Sequence, residues 1–441
     1  MQSELNALLQ TNTWTLVPPS PLYNLVGCKW VYRVKFKPDG SVDRFKARLV
    51  AKGFHQQEGL DYHETFSPVA KPVTIRLLLS LAVQYGWFLH QLDVPRAWYD
   101  ELFQALIGLG FQSSQADTSL FIKAGPDLVF ILVYVDDILV TGSSPSACQQ
   151  VIQHLSSQFP VKDLGSLHYF LGLQVTRSDR GLFLNQTKYA YDLLHKTDFL
   201  GAKACTTPLG SFRLDNSSPL LADPTFYRST VGALQYLTWT RPDLAFAVNQ
   251  VCQFMHQPRE SHLGAVKRIL RYLKGTLEHG LWFQQGSTHL SAYSDADWAG
   301  CPIDRRSTEA EYRGIALAAA ELVYISKLFK DIGLYLADPP TLWCDNQSAM
   351  ALASNPVFHA RTKHIEVDYH FIRELVLLGY VRLKFVSSSY QLADIFTKSL
   401  STARFQFLCS KLSVCTAPFS LRGADRATTE INPSHSSQSK T

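Results

Sequence analysis

The feature that most constrains this chain is a stretch of apolar side chains from Leu128 to Val140, interrupted by two adjacent acids, Asp136 and Asp137. The arms on either side are about the length of β-strands and rich in valine and isoleucine, so they predict a buried β-hairpin with both acids at its turn. Adjacent carboxylates repel each other, and a divalent cation would relieve that repulsion. Because Asp-Asp is also ordinary turn chemistry, the pair alone does not decide between a metal site and a plain turn.

The composition is that of a globular protein without a disulfide framework. The chain has 441 residues, 46% of them hydrophobic, enough for about three domains with packed cores. Its eight cysteines form no C-x-x-C pair, which argues against a zinc knuckle and favours a reducing compartment. No apolar run reaches the ~20 residues of a membrane span, and the N-terminus lacks a secretory signal. We therefore expect a protein that is not secreted and has no membrane partner.

Basic side chains are concentrated in two segments, although the net charge is only +5. Residues 28–54 alternate like a β-hairpin around a Pro-Asp-Gly turn and include Lys46 and Arg48. A helix is predicted further along the chain with an apolar face and a basic face. The basic face consists of Lys267, Arg268, Arg271 and Lys274. Each segment fits either a solvated surface or a surface that binds nucleic-acid phosphates, and both interpretations stay open here.

The remaining pattern places further acids at the ends of predicted elements. A helix is predicted over 72–85, a strand over 88–94 that ends near Asp93, a helix over about 146–158, and a short loop at 162–165. Residues 186–285 are mostly helical in pattern. Beyond Gly286, predicted strands lead into Asp295 and Asp345, a helix follows from Thr308, and Asp394 stands at the start of the last helix.

Acids at strand ends in separate segments are how proteins assemble a site for two cations about 4 Å apart, which clamp the attacking and leaving oxygens of a phosphoryl transfer. The first acid group would be Asp93, Asp136 and Asp137. The second acid group would be Asp295, Glu311, Asp345 and Asp394. Single members also have plainer explanations: Glu311, for example, completes a Thr-x-x-Glu capping box with Thr308.

Longer motifs connect these acids to a known family. Four motifs resemble the reverse transcriptase of copia-type LTR retrotransposons: Lys46 to Gly53, Gln91-Leu92-Asp93-Val94, Tyr134-Val135-Asp136-Asp137 and Leu164 to Gly172. Four later motifs resemble the RNase H of the same elements: Ser294 to Gly300, Glu309 to Tyr312, Cys344 to Gln347 and Ala393 to Lys398. The motifs are long and co-linear, and the resemblance extends from Trp14 to about Cys409.

The resemblance implies an α+β and α/β multidomain fold, with reverse transcriptase fingers, palm and thumb followed by an RNase H-like domain. The implied divisions are a lead-in at 1–25, fingers and palm at 26–185, a helical thumb or connection region at 186–285, an RNase H-like domain at 286–415 and a disordered tail at 416–441. The parent family further implies a cytoplasmic location within a virus-like particle, with the nucleus as the alternative.

The resemblance also implies a role for each candidate residue. The first acid group would hold the polymerase metals and the second acid group the RNase H metals, as two Mg²⁺ or Mn²⁺ ions per site, with Asp297 a weaker candidate than Asp295. Lys46 and Arg48 would contact the incoming dNTP, and residues 167–172 would grip the primer. The implied partners are an RNA template, a DNA primer, dNTPs and an RNA–DNA hybrid that is bound through its backbone and shape.

The chain departs from the family at two positions. After Val94 a segment of several dozen residues is missing, and after Thr308 a hairpin beside the Asp295 strand is missing. Because one peptide link reaches only about 3.6 Å, the Asp93 strand cannot join the next helix along the family's path. We therefore expect both domains to be incomplete and both folding and activity to be impaired. A gene model that excised these segments and a decayed element would produce the same sequence.

Three hypotheses follow. The leading one is an RNA-directed DNA polymerase with RNase H activity that is defective in this form. Its rival is a non-catalytic remnant that binds nucleic acid through its basic segments. A translated relic without a selected role is the third. The chain starts at the edge of the reverse transcriptase region and shows no protease or integrase signature, so we also expect it to be part of a longer polyprotein.

Overall fold

The computed structural model describes ten ranges of the chain: residues 5–6, 17–18, 26–36, 41–52, 70–94, 99–210, 214, 217–296, 307–354 and 366–417. Most of the predicted lead-in, Asp297 and the predicted tail beyond residue 417 lie outside these ranges. The described part is a mixed α and β protein, as the sequence predicts.

Sixteen strands and twelve helices make up the described part. The strands are β1 (Cys28–Phe36), β2 (Val42–Ala51), β3 (Phe88–Asp93), β4 (Gln112–Ser113), β5 (Leu120–Lys123), β6 (Val129–Tyr134), β7 (Asp137–Gly142), β8 (Lys162–Ser166), β9 (Tyr169–Phe170), β10 (Leu173–Ser178), β11 (Gly181–Asn185), β12 (His279–Phe283), β13 (Ser291–Ser294), β14 (Thr341–Cys344), β15 (Arg382–Phe385) and β16 (Val414–Thr416). The helices are α1 (Pro72–Tyr85), α2 (Tyr99–Gly108), α3 (Pro145–Gln158), α4 (Thr187–Lys196), α5 (Thr225–Leu237), α6 (Ala245–Cys252), α7 (Glu260–Gly275), α8 (Ser307–Asp331), α9 (Gln347–Ser354), α10 (Glu366–Leu377), α11 (Asp394–Thr397) and α12 (Thr402–Lys411).

The predicted acid-bearing hairpin lies in a six-stranded antiparallel sheet with the strand order β4-β5-β6-β7-β3-β8. Alternate residues of β6 enter different cores: Phe130 and Leu132 belong to the cluster around α1, whereas Ile131 and Val133 belong to the cluster that contains α2 and α3. Because side chains alternate across a strand, burial of both sheet faces requires an unbroken apolar run. This explains the long apolar run from Leu128 to Val140.

The predicted loop at 162–165 is wrong, because these residues form strand β8 and pair with β3. The strand carries a glycine in the left-handed region, Gly165 with φ 76°, and the pairing register shifts between His90 and Leu92. Its sequence has weak strand character. Backbone pairing with β3 outweighs that local preference, as is common for edge strands.

The region predicted to be helical, 186–285, contains helices α4 to α7 and also strand β12, which the pattern did not predict. β12 lies in a second sheet with the order β16-β12-β11-β10-β9. The helices share a core built around Leu234, Val248 and Leu270, and Phe405 and Leu408 of α12 pack into the same core. The last helix therefore packs with the helical region that precedes β13.

The third sheet is parallel and has the order β13-β14-β15. Helix α8 runs without a break through Thr308 and Glu309, the predicted site of a missing hairpin. Its first half contributes Tyr312 and Ile315 to the core beside this sheet, whereas Leu328 near its other end and Ile332 just after it lie in the α1 core. Helix α8 thus connects the third sheet with the first.

The predicted basic hairpin is present as β1 and β2, which form a separate two-stranded sheet. Large apolar side chains on it are exposed, among them Tyr32 and Phe45. None of the four cores formed by the described residues includes a residue of this hairpin. In the same described ranges, every helix falls short of the length or the hydropathy that a bilayer crossing requires.

Candidate active sites

The turn between β6 and β7 presents part of the first acid group. Tyr134 pairs with Asp137, so Val135 and Asp136 form a two-residue turn, and Asp137 is already the first residue of β7. The prediction of both acids at the turn is therefore correct for Asp136 and one position off for Asp137. Val135 has φ 55°, a conformation that β-branched residues avoid. The flanking strands impose this turn against the preference of its own residue.

Asp93 joins the first acid group through strand pairing. The register of β3 and β7 places Asp93 opposite Asp137, and the backbone N–H of Val94 donates to the Asp136 carbonyl at 2.8 Å. Gln91 Nε2 donates to Asp137 Oδ1 at 3.3 Å. All three predicted acids thus meet at one end of the β3 and β7 pair.

The first acid group brings three carboxylates close together. Burial raises the pKa of Asp137 above its ordinary value, and the charges of Asp93 and Asp136 raise it further. The Gln91 hydrogen bond acts in the opposite direction. Among the described residues no basic side chain forms an ion pair with these three acids. Carboxylate oxygens that repel one another suit a hard divalent cation such as Mg²⁺.

The segment predicted to grip a primer forms the tight β9–β10 connection at Leu171 and Gly172, with φ 49° and 74°. The Tyr236 hydroxyl, on α5, donates a hydrogen bond to the Leu171 carbonyl. A Cβ on residue 172 would overlap that hydroxyl. The turn is therefore fixed by a tyrosine that the sequence did not single out.

The predicted nucleotide-binding residues lie on β2, with Lys46 half-buried and Arg48 exposed. They are opposite Arg33 and Val31, respectively, and point to the same face because two positions separate them. Their role toward a nucleotide stays a prediction.

Three of the four predicted nucleic-acid-binding residues on α7 make contacts within the chain. Arg271 Nε donates to the Lys203 carbonyl at 2.7 Å, and Lys274 Nζ donates to the Ala202 carbonyl at 2.6 Å. Arg268 donates to Thr207 Oγ1 at 2.8 Å. These contacts attach the 202–207 segment to α7. Lys267 is exposed, and binding of nucleic acid by this face stays a prediction.

The second acid group lies at the ends of β13 and β14. Asp295 directly follows β13, and Asp345 directly follows β14. Because the last residues of these parallel strands, Ser294 and Cys344, are register partners, both acids lie at the same edge of the sheet. Glu311 comes from the first half of α8, which approaches β13 closely: a Cβ on Gly314 would be 3.0 Å from Ser294 Oγ. The side chain of Thr308 lies outside the described residues, so the capping box stays an alternative explanation for Glu311.

Lys398 contacts two of the four members of the second acid group, Asp295 and Asp394. Lys398 Nζ is 3.0 Å from Asp295 Oδ2 and 2.6 Å from Asp394 Oδ1. Arg404 also pairs with Asp394, at 3.2 Å, and the Thr397 hydroxyl donates to Asp295. Asp295 and Asp394 are thereby paired with basic side chains of the chain itself, although burial still raises the pKa of Asp295 above its ordinary value. A lysine four residues after an aspartate on a helix predicts an ion pair between them. The contact of Lys398 with Asp394 could therefore have been predicted from the sequence.

Among the described residues, neither Glu311 nor Asp345 forms an ion pair with a basic side chain. Burial and the charges of Asp295 and Asp345 raise the pKa of Glu311 to about 7. Asp345 accepts hydrogen bonds from the neutral Gln391 Nε2 at 3.2 Å and Ser388 Oγ at 3.3 Å. In the described part of the chain, one group of three His, Cys, Asp or Glu side chains has all its ligand atoms within 4.8 Å of one another: Glu311, Cys344 and Asp345. Cys344 was not predicted as a site residue.

Comparison with known proteins identifies the family of this chain. The model for reverse transcriptase (RNA-dependent DNA polymerase) matches residues 11–97 and 94–211, two pieces that meet where the sequence predicts a missing segment. The Pol polyprotein from transposon RE1 of Arabidopsis thaliana is 44% identical over 493 positions, covering 95% of this chain and 34% of that protein. Since the chain has 441 residues, that relative carries at least 52 residues in the aligned region that this chain lacks.

A further relative matches this chain in sequence, and one solved structure resembles it only weakly. The putative transposon Ty5-1 protein YCL074W of Saccharomyces cerevisiae is 32% identical over 254 residues, which cover 56% of this chain and 82% of that protein. A crystal structure of prototype foamy virus protease-reverse transcriptase is 12% identical, with 91% of this chain and 53% of that chain covered and a TM-score of 0.22, too low to assign a fold. The chain spans about a third of the length of the Pol polyproteins that it matches.

Proposed function

Because this chain belongs to the copia-type retrotransposon Pol family, we propose that it synthesises DNA on an RNA template and cleaves the RNA strand of an RNA–DNA hybrid. The observation that carries the proposal is the convergence of Asp93, Asp136 and Asp137 at one end of the β3 and β7 pair. The meeting of Asp295, Glu311 and Asp345 around β13 and β14 supports the second activity.

Both proposed reactions are phosphoryl transfers, with a primer 3′-hydroxyl or a water molecule as the attacking group. Mg²⁺ or Mn²⁺ ions bound at the acids supply the charge that activates the attacking oxygen and stabilises the leaving oxygen. The chain's own contribution is to hold the acids in place: β pairing fixes Asp93 against Asp137, and the Val94 N–H fixes the Asp136 backbone. Lys46 and Arg48 are the proposed contacts for the dNTP triphosphate, and the α7 basic face is a proposed contact for the duplex.

A second candidate function is a non-catalytic remnant that binds nucleic acid. The split family match and the at least 52 residues that the RE1 protein has and this chain lacks favour it. A missing strand leaves backbone groups unpaired at about 1–3 kcal/mol each, against the roughly 5–15 kcal/mol that stabilise a domain. We therefore propose that polymerase and RNase H activities are reduced in this form.

Primer extension on an RNA template, with Mg²⁺ and then Mn²⁺, tests the polymerase proposal. Extension should exceed the background set by Asp136→Asn and should persist in Asp127→Asn, which changes an exposed acid in the neighbouring β5–β6 turn. Hybrid cleavage should likewise be lost in Glu311→Gln and kept in Glu321→Gln, an exposed position on the same helix. Salt-sensitive hybrid binding without extension or cleavage would instead establish the remnant, and failure to obtain a folded product would favour a relic.

A further inference from the structure

A lysine lies beside the first acid group, on the side of β3 away from β7. Lys162 is the first residue of β8 and the register partner of Asp93 in the β3 and β8 pair. On its other side Asp93 has Asp137 as its partner in β7. Because directly opposite residues of antiparallel strands point to the same face of a sheet, Asp137, Asp93 and Lys162 form one row across three strands. The strand order thus brings a basic side chain to the face that carries the carboxylates.

The residue after this lysine fastens the edge strand β8 to the sheet. Asp163 points to the opposite face, where its Oδ1 lies 2.5 Å from Nε2 of the buried His90 and accepts the Gly165 N–H at 2.7 Å. A polar contact with a buried side chain compensates for the weak strand character of β8 at this point. The backbone of Lys162 is thereby held beside Asp93.

The ammonium group of Lys162 is available to a ligand. Its side chain is exposed, and among the described residues no ion pair joins its Nζ to an acid. A fixed positive charge weakens the binding of divalent cations by neighbouring acids, because like charges repel. When the acids hold cations, this ammonium therefore gains only from a further anion. Phosphate is the anion that both substrates of the proposed polymerase carry.

From this geometry we propose that Lys162 contacts a phosphate group of the polymerase substrates, in the triphosphate of the incoming dNTP or in the backbone of the primer strand. The inference rests on the proposed function and adds to Lys46 and Arg48 a cation from a different sheet. A lysine ammonium is a compact charge with three donors on a flexible stem, so it reaches a phosphate oxygen without a fixed orientation. Loss of such a charge-assisted hydrogen bond should weaken binding of that substrate about 10-fold or more.

Two binding measurements on the full chain distinguish the two sources of phosphate, and neither needs catalysis. Fluorescence anisotropy of a labelled primer–template duplex, at a series of salt concentrations, reports the primer backbone. A contact there should weaken duplex binding by Lys162→Gln and lower its salt slope by about 1.

The second measurement reports the triphosphate. With a primer that ends in a dideoxynucleotide and adenine as the next template base, dTTP and Mg²⁺ protect the complex from a heparin trap without chemistry. A contact of Lys162 with the triphosphate should raise the protecting dTTP concentration about 10-fold in Lys162→Gln and leave duplex binding unchanged. Lys162→Arg keeps the charge and should retain most of whichever binding Lys162→Gln loses. Lys330→Gln, which removes an exposed lysine from α8, is the matched control and should bind both ligands like the parent.

Four results would overturn the proposal: binding of both ligands by Lys162→Gln as by the parent, the same loss in Lys162→Arg, an equal loss in Lys330→Gln, or no binding of either ligand by the parent. A parent that binds both ligands but does not extend a primer would contradict the proposed polymerase function alone. Primer extension by the parent, together with unchanged binding in Lys162→Gln, would contradict this inference alone, so the two failures are distinguishable.

Discussion

The hydroxyl of Tyr324 donates a hydrogen bond to Asp117 Oδ2 at 3.2 Å, although 207 positions separate the two residues in the sequence. Tyr324 lies on α8, whose first half carries Glu311, and Asp117 precedes β5 of the first sheet. Thr74 Oγ1 of α1 contacts both partners, at 2.5 Å from Asp117 Oδ2 and 2.8 Å from the tyrosine oxygen. Helix α8 is thereby fixed to the sheet that carries the first acid group.

Removing the Tyr324 hydroxyl should loosen this connection. Tyr324→Phe leaves the ring in place and deletes one donor from the network around Asp117, so the free energy of unfolding should fall by about 0.5–1.5 kcal/mol. Urea denaturation measures this change. Tyr335→Phe, at a side chain that is 85% exposed, is the control and should change stability little. Equal effects of the two substitutions would show that the network does not stabilise the fold.

The raised pKa of Glu311 predicts a pH dependence in protein freed of metal by EDTA. The folded carboxyl ionises at about 7, against an ordinary value of 4.5. Between these values the folded state holds a proton that the unfolded state has released, so stability should fall as pH rises through this window. The full penalty, about 3 kcal/mol, applies above the folded value.

Glu311→Gln removes this penalty. The variant should be more stable than the parent by up to about 3 kcal/mol near pH 8 and by much less well below pH 4.5, where the carboxyl of the parent is protonated in both the folded and the unfolded state. Denaturant unfolding at a series of pH values checks the expectation. Glu321→Gln, exposed on the same helix, should show no such pH-dependent difference. A constant difference across the pH range would contradict the shifted ionisation.

Elements with strong local signals were predicted well, because the relevant physics lies within a few residues. Helix α1 has the predicted bounds: Pro72 occupies its first turn and Gly86, with φ 69°, ends it. Strand β8 and the Lys398 contact with Asp295 depend on residues distant in the sequence, so no local pattern could indicate them. The family motifs identified most acids that the fold assembles, but they gave no reason to single out Cys344 or Tyr236.

The strained turn at Val135 predicts a stabilising substitution. A β-branched residue at φ 55° costs roughly 1–2 kcal/mol relative to a residue that tolerates the left-handed region. Val135→Asn should therefore raise the free energy of unfolding by about 1 kcal/mol, measured by urea denaturation. The matched control is Val31→Asn, because Val31 is also exposed but lies in a strand, where asparagine is disfavoured. Destabilisation of both variants to the same degree would show that the turn stores no strain.

The close approach of Gly172 and Tyr236 gives a second prediction about a turn. Gly172→Ala would place a methyl group over the tyrosine hydroxyl, with Cζ and Cε1 at 3.2 and 3.3 Å. Gly165→Ala is a matched control, since its φ of 76° is similar to the 74° of Gly172 and nothing lies within 4 Å of the added methyl group. In both variants the left-handed backbone conformation should lower the free energy of unfolding by about 1–2 kcal/mol. In Gly172→Ala alone the overlap with Tyr236 should lower it by a further ~1–3 kcal/mol.

A double-mutant cycle separates these two costs. In a Tyr236→Phe background the oxygen that the new methyl group meets is gone, so the destabilisation caused by Gly172→Ala should shrink by about 1 kcal/mol. The destabilisation caused by Gly165→Ala should be the same in both backgrounds, because that glycine has no contact with Tyr236. Urea denaturation of the single and double variants provides the four stabilities. Additivity of Gly172→Ala and Tyr236→Phe would mean that Tyr236 does not fix the β9–β10 turn.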